Sequence, residues 1–403
     1  MGLLSYFWVF LGFIGGFALI PLFVWILASL AFGVVSYLTL ASMPLVPPYL
    51  APFLFPLYLT TVDIILSFGP WGIWNLQSIS LSQWKFAIPL AGVFGVHGYT
   101  FTVAVIAGWI AQAITDRISF KASIPTIGWI IFAVLLAGLN QITVGRSGKT
   151  IRVGTVSHPG AETNTLERSI EAYASEIKHL AERGAQVVVI PEGSFWVRGE
   201  EKGVFMTAME QIARQFGVVL VAGFIDEEEN FNKAGVFAPD GNVAFYSKRY
   251  PVFLAEPVKR GTGPPLVVDT PVGKLGVIIC HDDVYPRFVR RAKLLGAELL
   301  AIPSLDWYQV HRQHRGISLY ASLLFALPVI RATGQGISQV VSAEGEVLGE
   351  GNDFEEKPAR TLVDLPLSTG ATLYTFLGDI FSYALLFGAF LLLLWWVRCT
   401  LFS

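Results

Sequence analysis

The distribution of charge constrains this chain most: across residues 1 to 115 only Asp63 and Lys85 belong to the Asp, Glu, Lys and Arg set, whereas residues 146 to 364 hold nearly all the others. A stretch so poor in charge does not build a water-exposed fold, and about 20 apolar residues are what one crossing of a bilayer core requires. Residues 1 to 41 carry no charge at all, and Gly15-Gly16 and Pro21 mark a place for a reversal. The pattern predicts helices over 3–20 and 22–41, then over 50–68, 86–115 and 122–145, with a last one over 380–397. The expected organisation is a transmembrane helical region at 1–145, a polar domain at 150–367 and a C-terminal transmembrane helix at 374–398. The apolar start lacks a basic leader and a small-residue cleavage site, so a retained first helix is expected.

Orientation follows from the basic flanks. Five helices before the polar domain place Arg117, Lys121 and Arg398 on the cytoplasmic side, and the polar domain outside the cytoplasm. Lys85 falls outside in this arrangement and argues against it. With a mean hydropathy of +0.57 and a formal net charge of -2, and no Lys/Arg block interleaved with aromatics, the chain is not built for nucleic acid. Its two cysteines, Cys280 and Cys399, make no disulfide framework.

The polar domain alternates strand and helix patterns. Strands are expected at Ile151 to Val156, Val187 to Ile190, Val218 to Ile225, around the Asp240-Gly241 turn, at Leu275 to Cys280, at Leu299 to Ile302 and over 328–350. Helices are expected over 164–183, 203–216, 286–295 and 311–327. Interleaving of this kind reads as a single layered α/β domain.

Three short strings in that domain carry the chemistry: Pro191-Glu192-Gly193, Tyr246-Ser247-Lys248-Arg249-Tyr250, and Gly276 through Cys280-His281-Asp282. Taken singly, Cys280 reads as a small buried hydrophobe, Glu192 as a surface carboxylate and Lys248 as part of a solvated edge strand. Taken together they read as a thiol nucleophile with its own base and a cationic helper. A free cysteine is only a few per cent thiolate at neutral pH, so it requires a base or a positive field; Glu192 fits the first role and Lys248 the second. Tyr308, His311 and His314, following Trp307, are expected near the opening. His311 and His314 alone are too few ligands for a metal, and no cofactor is expected.

The order glutamate, lysine, cysteine after similar strands resembles the nitrilase, or carbon–nitrogen hydrolase, superfamily. With the membrane helices included, the chain resembles the bacterial apolipoprotein N-acyltransferase family. Glu256 matches that family's second glutamate, Arg331-Ala332-Thr333 its arginine strand, and Gly370 to Asp379 the stretch before its last helix. The resemblance implies a membrane α-helical bundle plus an α/β nitrilase-like αββα sandwich in the bacterial cytoplasmic (inner) membrane. It implies catalysis by Glu192, Lys248 and Cys280, with Glu256, Asp282 and His281 in support and Trp307, Tyr308, His314 and Arg331 as substrate contacts. By that resemblance Cys280 takes an acyl chain from a phospholipid as a thioester, which the α-amine of a diacylglyceryl-cysteine lipoprotein accepts. The chain departs from the family where His281 and Asp282 replace an aromatic residue and a glutamate, and where Ala321 and Leu324 replace an arginine and a glutamate. The same three residues with water as acceptor make a membrane-tethered amidase acting on a small amide or nitrile, and that alternative stays open.

Overall fold

The computed structural model describes residues 19–74, 88–114, 120–144, 146–158 and 165–401. The chain divides into two compact units, Met1–Ile142 with Thr372–Ser403, and Thr143–Ala371. The helix expected over 3–20, Lys85 and Arg117 lie outside the described residues.

The first unit is helical: α1 (Leu19–Ser42), α2 (Ala51–Ser67), α3 (Ala91–Ile114) and α4 (Phe120–Thr143), with the later α9 (Leu373–Leu377) and α10 (Ile380–Leu401). Among the described residues, Ala91–Ile114, Ser123–Asn140 and Ile380–Leu401 are long and apolar enough to cross a membrane. A helix satisfies its own backbone hydrogen bonds, which is what an apolar environment demands of a spanning segment. α2 packs against α1, α3 and α10. The rings of Phe94, Phe101, Trp129 and Phe381 share one aromatic knot, with Phe94 and Phe381 5.0 Å apart. Gly95 has φ +73, and a Cβ there would lie 2.6 Å from Tyr374 of α9, so this break in α3 requires glycine.

The second unit is an αββα sandwich. One six-stranded sheet runs in the order β12-β1-β2-β3-β4-β5 and the other β11-β10-β9-β8-β7-β6. The strands of the first are β1 (Arg146–Val156), β2 (Val187–Val197), β3 (Val219–Asp226), β4 (Phe231–Phe237), β5 (Val243–Ser247) and β12 (Arg360–Ser368). The second holds β6 (Leu266–Thr270), β7 (Gly273–Val277), β8 (Leu299–Leu305), β9 (Val329–Gly334), β10 (Ile337–Val341) and β11 (Val347–Asn352). β1, β2 and β3 are parallel, as are β7, β8 and β9. Parallel strands are covered on both faces, which is why Val187 to Ile190 and Leu299 to Ile302 are continuous apolar runs with every residue buried. β2 packs across the interface on β8 and β9.

On the outer faces, α5 (Leu166–Ala181) and α6 (Glu201–Phe216) cover the first sheet, and α7 (Pro286–Leu294) and α8 (His311–Phe325) the second. The core under α5 and α6 is built from Tyr173, Ile177, Phe205 and Met209 against Val188, Ile190, Leu220 and Phe224. Three strand expectations are corrected. The strand at 187–190 continues to Val197, the strand at 275–280 stops at Val277, and β6 and β12 were not anticipated.

Candidate active site

Glu192 sits inside β2 rather than past its end. The β2–β3 register shifts between Ile190 and Phe195, and Gly193 turns the backbone with φ +65, so this strand carries a bulge that re-aims one side chain. Gly223 of β3 lets the bulge form, because a Cβ there would run into the Pro191 carbonyl oxygen and lie 2.6 Å from Glu192 Cα. Gly223→Ala is expected to destabilise the domain by about 1–3 kcal/mol through overpacking and to displace Glu192. Thermal denaturation and turnover measured side by side check this; wild-type values in both would contradict the role given to Gly223.

Lys248 follows β5 directly. Its backbone is held on both sides, its N–H donating to Asn232 O and its carbonyl accepting from Gly261 N, each at 2.8 Å. The fully buried ammonium donates to Glu192 Oε1 at 2.6 Å and to Glu256 Oε1 at 2.5 Å. Glu192 also accepts from Asn232 Nδ2 at 2.5 Å and, through Oε2, from the Leu305 N–H at 2.9 Å. Glu256 accepts from Val252 N at 3.2 Å. One ammonium thus serves two carboxylates, and every donor at this point is aimed at glutamate oxygen. Burial pushes the Glu192 carboxyl above the usual range against the pull of Lys248. Burial opposes the Lys248 charge, but the adjoining carboxylates outweigh it and hold the ammonium well above its ordinary value.

Cys280 opens a short 3-10 turn, Cys280–Val284, three residues beyond the end of β7. Its φ is +46, a left-handed conformation that costs a non-glycine residue free energy and persists only where neighbours enforce it. Asp282 is the enforcer. Its Oδ2 accepts from Ile279 N at 3.0 Å and Tyr246 OH at 2.7 Å, and its Oδ1 from Tyr250 N at 2.8 Å. His281 Nδ1 lies 3.1 Å from the Tyr250 carbonyl oxygen. The second and third strings are therefore laced together by side chains that flank Lys248 and Cys280. The thiol donates to Leu305 O at 3.7 Å, and Leu305 N is the donor to Glu192. Burial and the nearby Glu192 push the Cys280 thiol well above the ordinary thiol range. The thiol whose pKa is raised thus lies in the same buried set as the Glu192 carboxyl. Glu192, Asn232 and Lys248 come from one sheet, Cys280 and Leu305 from the other.

The family profile described as carbon-nitrogen hydrolase matches residues 152–371, more than half of the chain. The chain belongs to the carbon–nitrogen hydrolase family. It is similar to an apolipoprotein N-acyltransferase of Geobacter metallireducens, 22% identical over 348 residues, covering 75% of this chain and 66% of that protein. It is similar to an apolipoprotein N-acyltransferase of Haemophilus ducreyi, 22% identical over 402 residues, covering 88% of this chain and 75% of that protein. A nitrilase of Pyrococcus abyssi is 28% identical over 231 residues, covering 51% of this chain and 87% of that protein. The chain spans just under two thirds of the Geobacter relative's length.

The carbon–nitrogen hydrolase domain places the remaining expected residues in two groups. Trp307 and Tyr308 are exposed on the loop after β8, with the Tyr308 ring against His311 and Phe354. His314 is not at an opening, which corrects the sequence expectation, and Arg331 lies with it. Both are buried, tied to Asp306, because α8 turns His314 inward and β9 is covered on both faces. Asn232, Tyr246 and the Leu305 peptide escaped the sequence reading. Asn232 is one polar residue in a short strand, and a backbone N–H leaves no trace in side-chain identity. A recess of about 530 Å³ lies elsewhere, lined by Phe231, Phe245, Tyr246, Leu266 and Leu295 at the β5 and β6 edges. It reaches the site through Tyr246, the partner of Asp282, and through Ser247 and Gly261 beside the Lys248 backbone. Among the described residues no cluster of three or more His, Cys, Asp or Glu side chains is arranged to hold a metal ion.

Proposed function

We propose that this chain is a membrane-bound N-acyltransferase that moves an acyl chain from a phospholipid, through a thioester on Cys280, to the α-amine of a diacylglyceryl-cysteine lipoprotein. The observation that carries this reading is the reach of the similarity. The acyltransferase relatives match 75% and 88% of the chain, beyond the carbon–nitrogen hydrolase domain and into the helices, whereas the nitrilase matches only 51%. Helices of membrane-crossing length support a substrate that is itself in the bilayer. The proposed location is the bacterial cytoplasmic membrane with the catalytic domain on its outer side.

In the first half-reaction the Cys280 sulfur attacks the ester carbonyl carbon as Glu192 takes the thiol proton. Lys248 and a backbone N–H beside Cys280 face the charge that develops on the carbonyl oxygen. The carbon–oxygen bond then breaks, Glu192 returns the proton to the departing alkoxide, and a lysophospholipid leaves. In the second half the amine attacks the thioester and yields a proton to Glu192. The carbon–sulfur bond breaks, the sulfur regains that proton, and an amide remains. Glu256 keeps Lys248 oriented between the two steps.

Intact-mass measurement of the purified chain incubated with phospholipid tests this. One acyl adduct on Cys280, absent in Cys280→Ala and discharged by a diacylated lipopeptide, is the expected result. An adduct discharged by water at the same rate with and without lipopeptide would favour an amidase instead, a reading kept alive by the nitrilase relative. No adduct with any phospholipid would sink the proposal.

A further inference from the structure

Behind Cys280 lies a second buried set of charged groups that the reaction steps do not use. His314 on α8 has Nε2 3.1 Å from Asp283 Oδ1 and Nδ1 2.7 Å from Asp306 Oδ1. Asp283 belongs to the Cys280 turn, and its other oxygen accepts from Ser318 Oγ at 2.9 Å. Asp306 directly follows Leu305, and its Oδ1 accepts from Arg331 at 2.5 Å. Arg331 also donates to Ile337 O at 3.1 Å, which fixes the guanidinium on β9. All four side chains are at most 2% exposed.

Both ring nitrogens of His314 meet a carboxylate oxygen, and Nδ1, whose nearer partner is Asp306, also lies 3.1 Å from an Arg331 guanidinium nitrogen. A neutral imidazole has one N–H and one lone pair, so one of those contacts would set lone pair against carboxylate; an imidazolium donates to both. With His314 charged, two cations and two carboxylates cancel. Without its proton, a net negative charge is left buried, which is costly.

We infer that His314 is a positioning residue that works as an imidazolium latch, tying the Cys280 turn through Asp283 to the Leu305 loop through Asp306, so that the thiol meets Glu192 productively only while His314 is protonated. The turn requires such a hold because Cys280 has φ +46, and the Leu305 loop is where Glu192 and the thiol both find backbone partners. The charged and titratable groups facing His314 are Asp283 and His281 from the turn, Asp306 from the loop and Arg331 from β9. Burial lowers the pKa of His314, but Asp283 and Asp306 outweigh it and the nearby Arg331, raising it above the ordinary imidazole value. A raised pKa means the latch is complete below the ordinary value and is lost as pH rises through the folded one. The inference rests on Cys280 being the nucleophile of the proposed reaction.

Two measurements on the full-length, detergent-solubilised protein test it. The first is the ¹⁵N spectrum of histidine-labelled wild type, with His314 assigned by comparison with His314→Gln. Two protonated ring nitrogens at pH 7 are expected, and one bare ring nitrogen at that pH would overturn the latch. The second is the p-nitrophenolate burst from p-nitrophenyl butyrate followed against pH. Wild type is expected to lose burst rate as pH rises through the His314 titration seen in the spectrum. His314→Gln is expected to be about tenfold slower and to lack that alkaline fall, while Ser318→Ala is slowed less and keeps it. An alkaline fall unchanged in His314→Gln would also overturn the inference. Absence of any burst in wild type counts against the thioester reading of Cys280, and the spectrum still decides the charge of His314.

Discussion

Lys248→Met is expected to leave a chain with little activity and a weakened fold, and to do both for one electrostatic reason. Wild type holds two carboxylates around a single ammonium, Glu192 at 2.6 Å and Glu256 at 2.5 Å. Without the ammonium, two carboxylates confront each other in a site that water barely reaches. Removing one partner of a buried pair costs about 3–5 kcal/mol, because the charge left behind has lost both water and counter-ion. The same ammonium is the strongest positive group beside the thiol, and loss of a pre-positioned donor to a developing oxyanion lowers turnover on the order of 10²–10³-fold. Chemical denaturation and single-turnover acylation read the two effects separately. Full stability with lost turnover would mean that Lys248 acts on the reaction and not on the fold; wild-type acylation would remove it from the site altogether.

Glu192→Gln separates the roles the other way. The variant keeps the shape, and the buried set passes from two carboxylates and one ammonium to one of each, while the new NH2 must face one donor that Glu192 now satisfies, so the fold is expected to survive with a modest loss of stability. Acylation is expected to fall about 10²–10⁴-fold, the range associated with losing a placed proton acceptor. In wild type the burial that raises Glu192 is expected to set an acid limb. Glu192 accepts a proton only when ionised, so activity is lost as pH falls through a pKa above the ordinary glutamate value. Glu192→Gln is expected to lack that limb. An unchanged acid limb in the variant, measured by stopped-flow acylation, would assign the base to another group.

Much of the site was legible because two of the three strings follow a β-branched run whose buried character is plain: Val187 to Ile190 before Glu192, and Val277 to Ile279 before Cys280. What stayed hidden depends on partners far away in sequence. That Glu192 lies in a bulge follows from Gly223 on the next strand, a glycine that by itself reads as any other. The conformation of Cys280 follows from Asp282 being claimed by Ile279, Tyr246 and Tyr250. β12 escaped notice because Asp364 and Pro366 interrupt its alternation; an edge strand tolerates both, since only one side is paired. β6 is a five-residue, half-buried edge strand after Pro264-Pro265, with little apolar pattern to announce it. His314 looked like surface chemistry because it follows Trp307 and Tyr308 in a polar stretch, and that Arg331 is its neighbour shows only in the fold. Here each finds its opposite charge within hydrogen-bond reach.

The division of the site between two sheets has a consequence for when its chemistry begins. Glu192 lies on β2 and Lys248 directly after β5, Cys280 in the turn beyond β7 and the Leu305 peptide at the end of β8, and the first sheet is closed by β12, the last strand of the domain. A chain emerging in order presents Glu192 and Lys248 long before Cys280, and Cys280 long before the strand that completes their half. Until the two layers dock, Cys280 has neither the Glu192 carboxyl nor the Lys248 ammonium beside it. The groups of the candidate site therefore meet only in the finished sandwich, and no part of the chain made earlier carries the set complete.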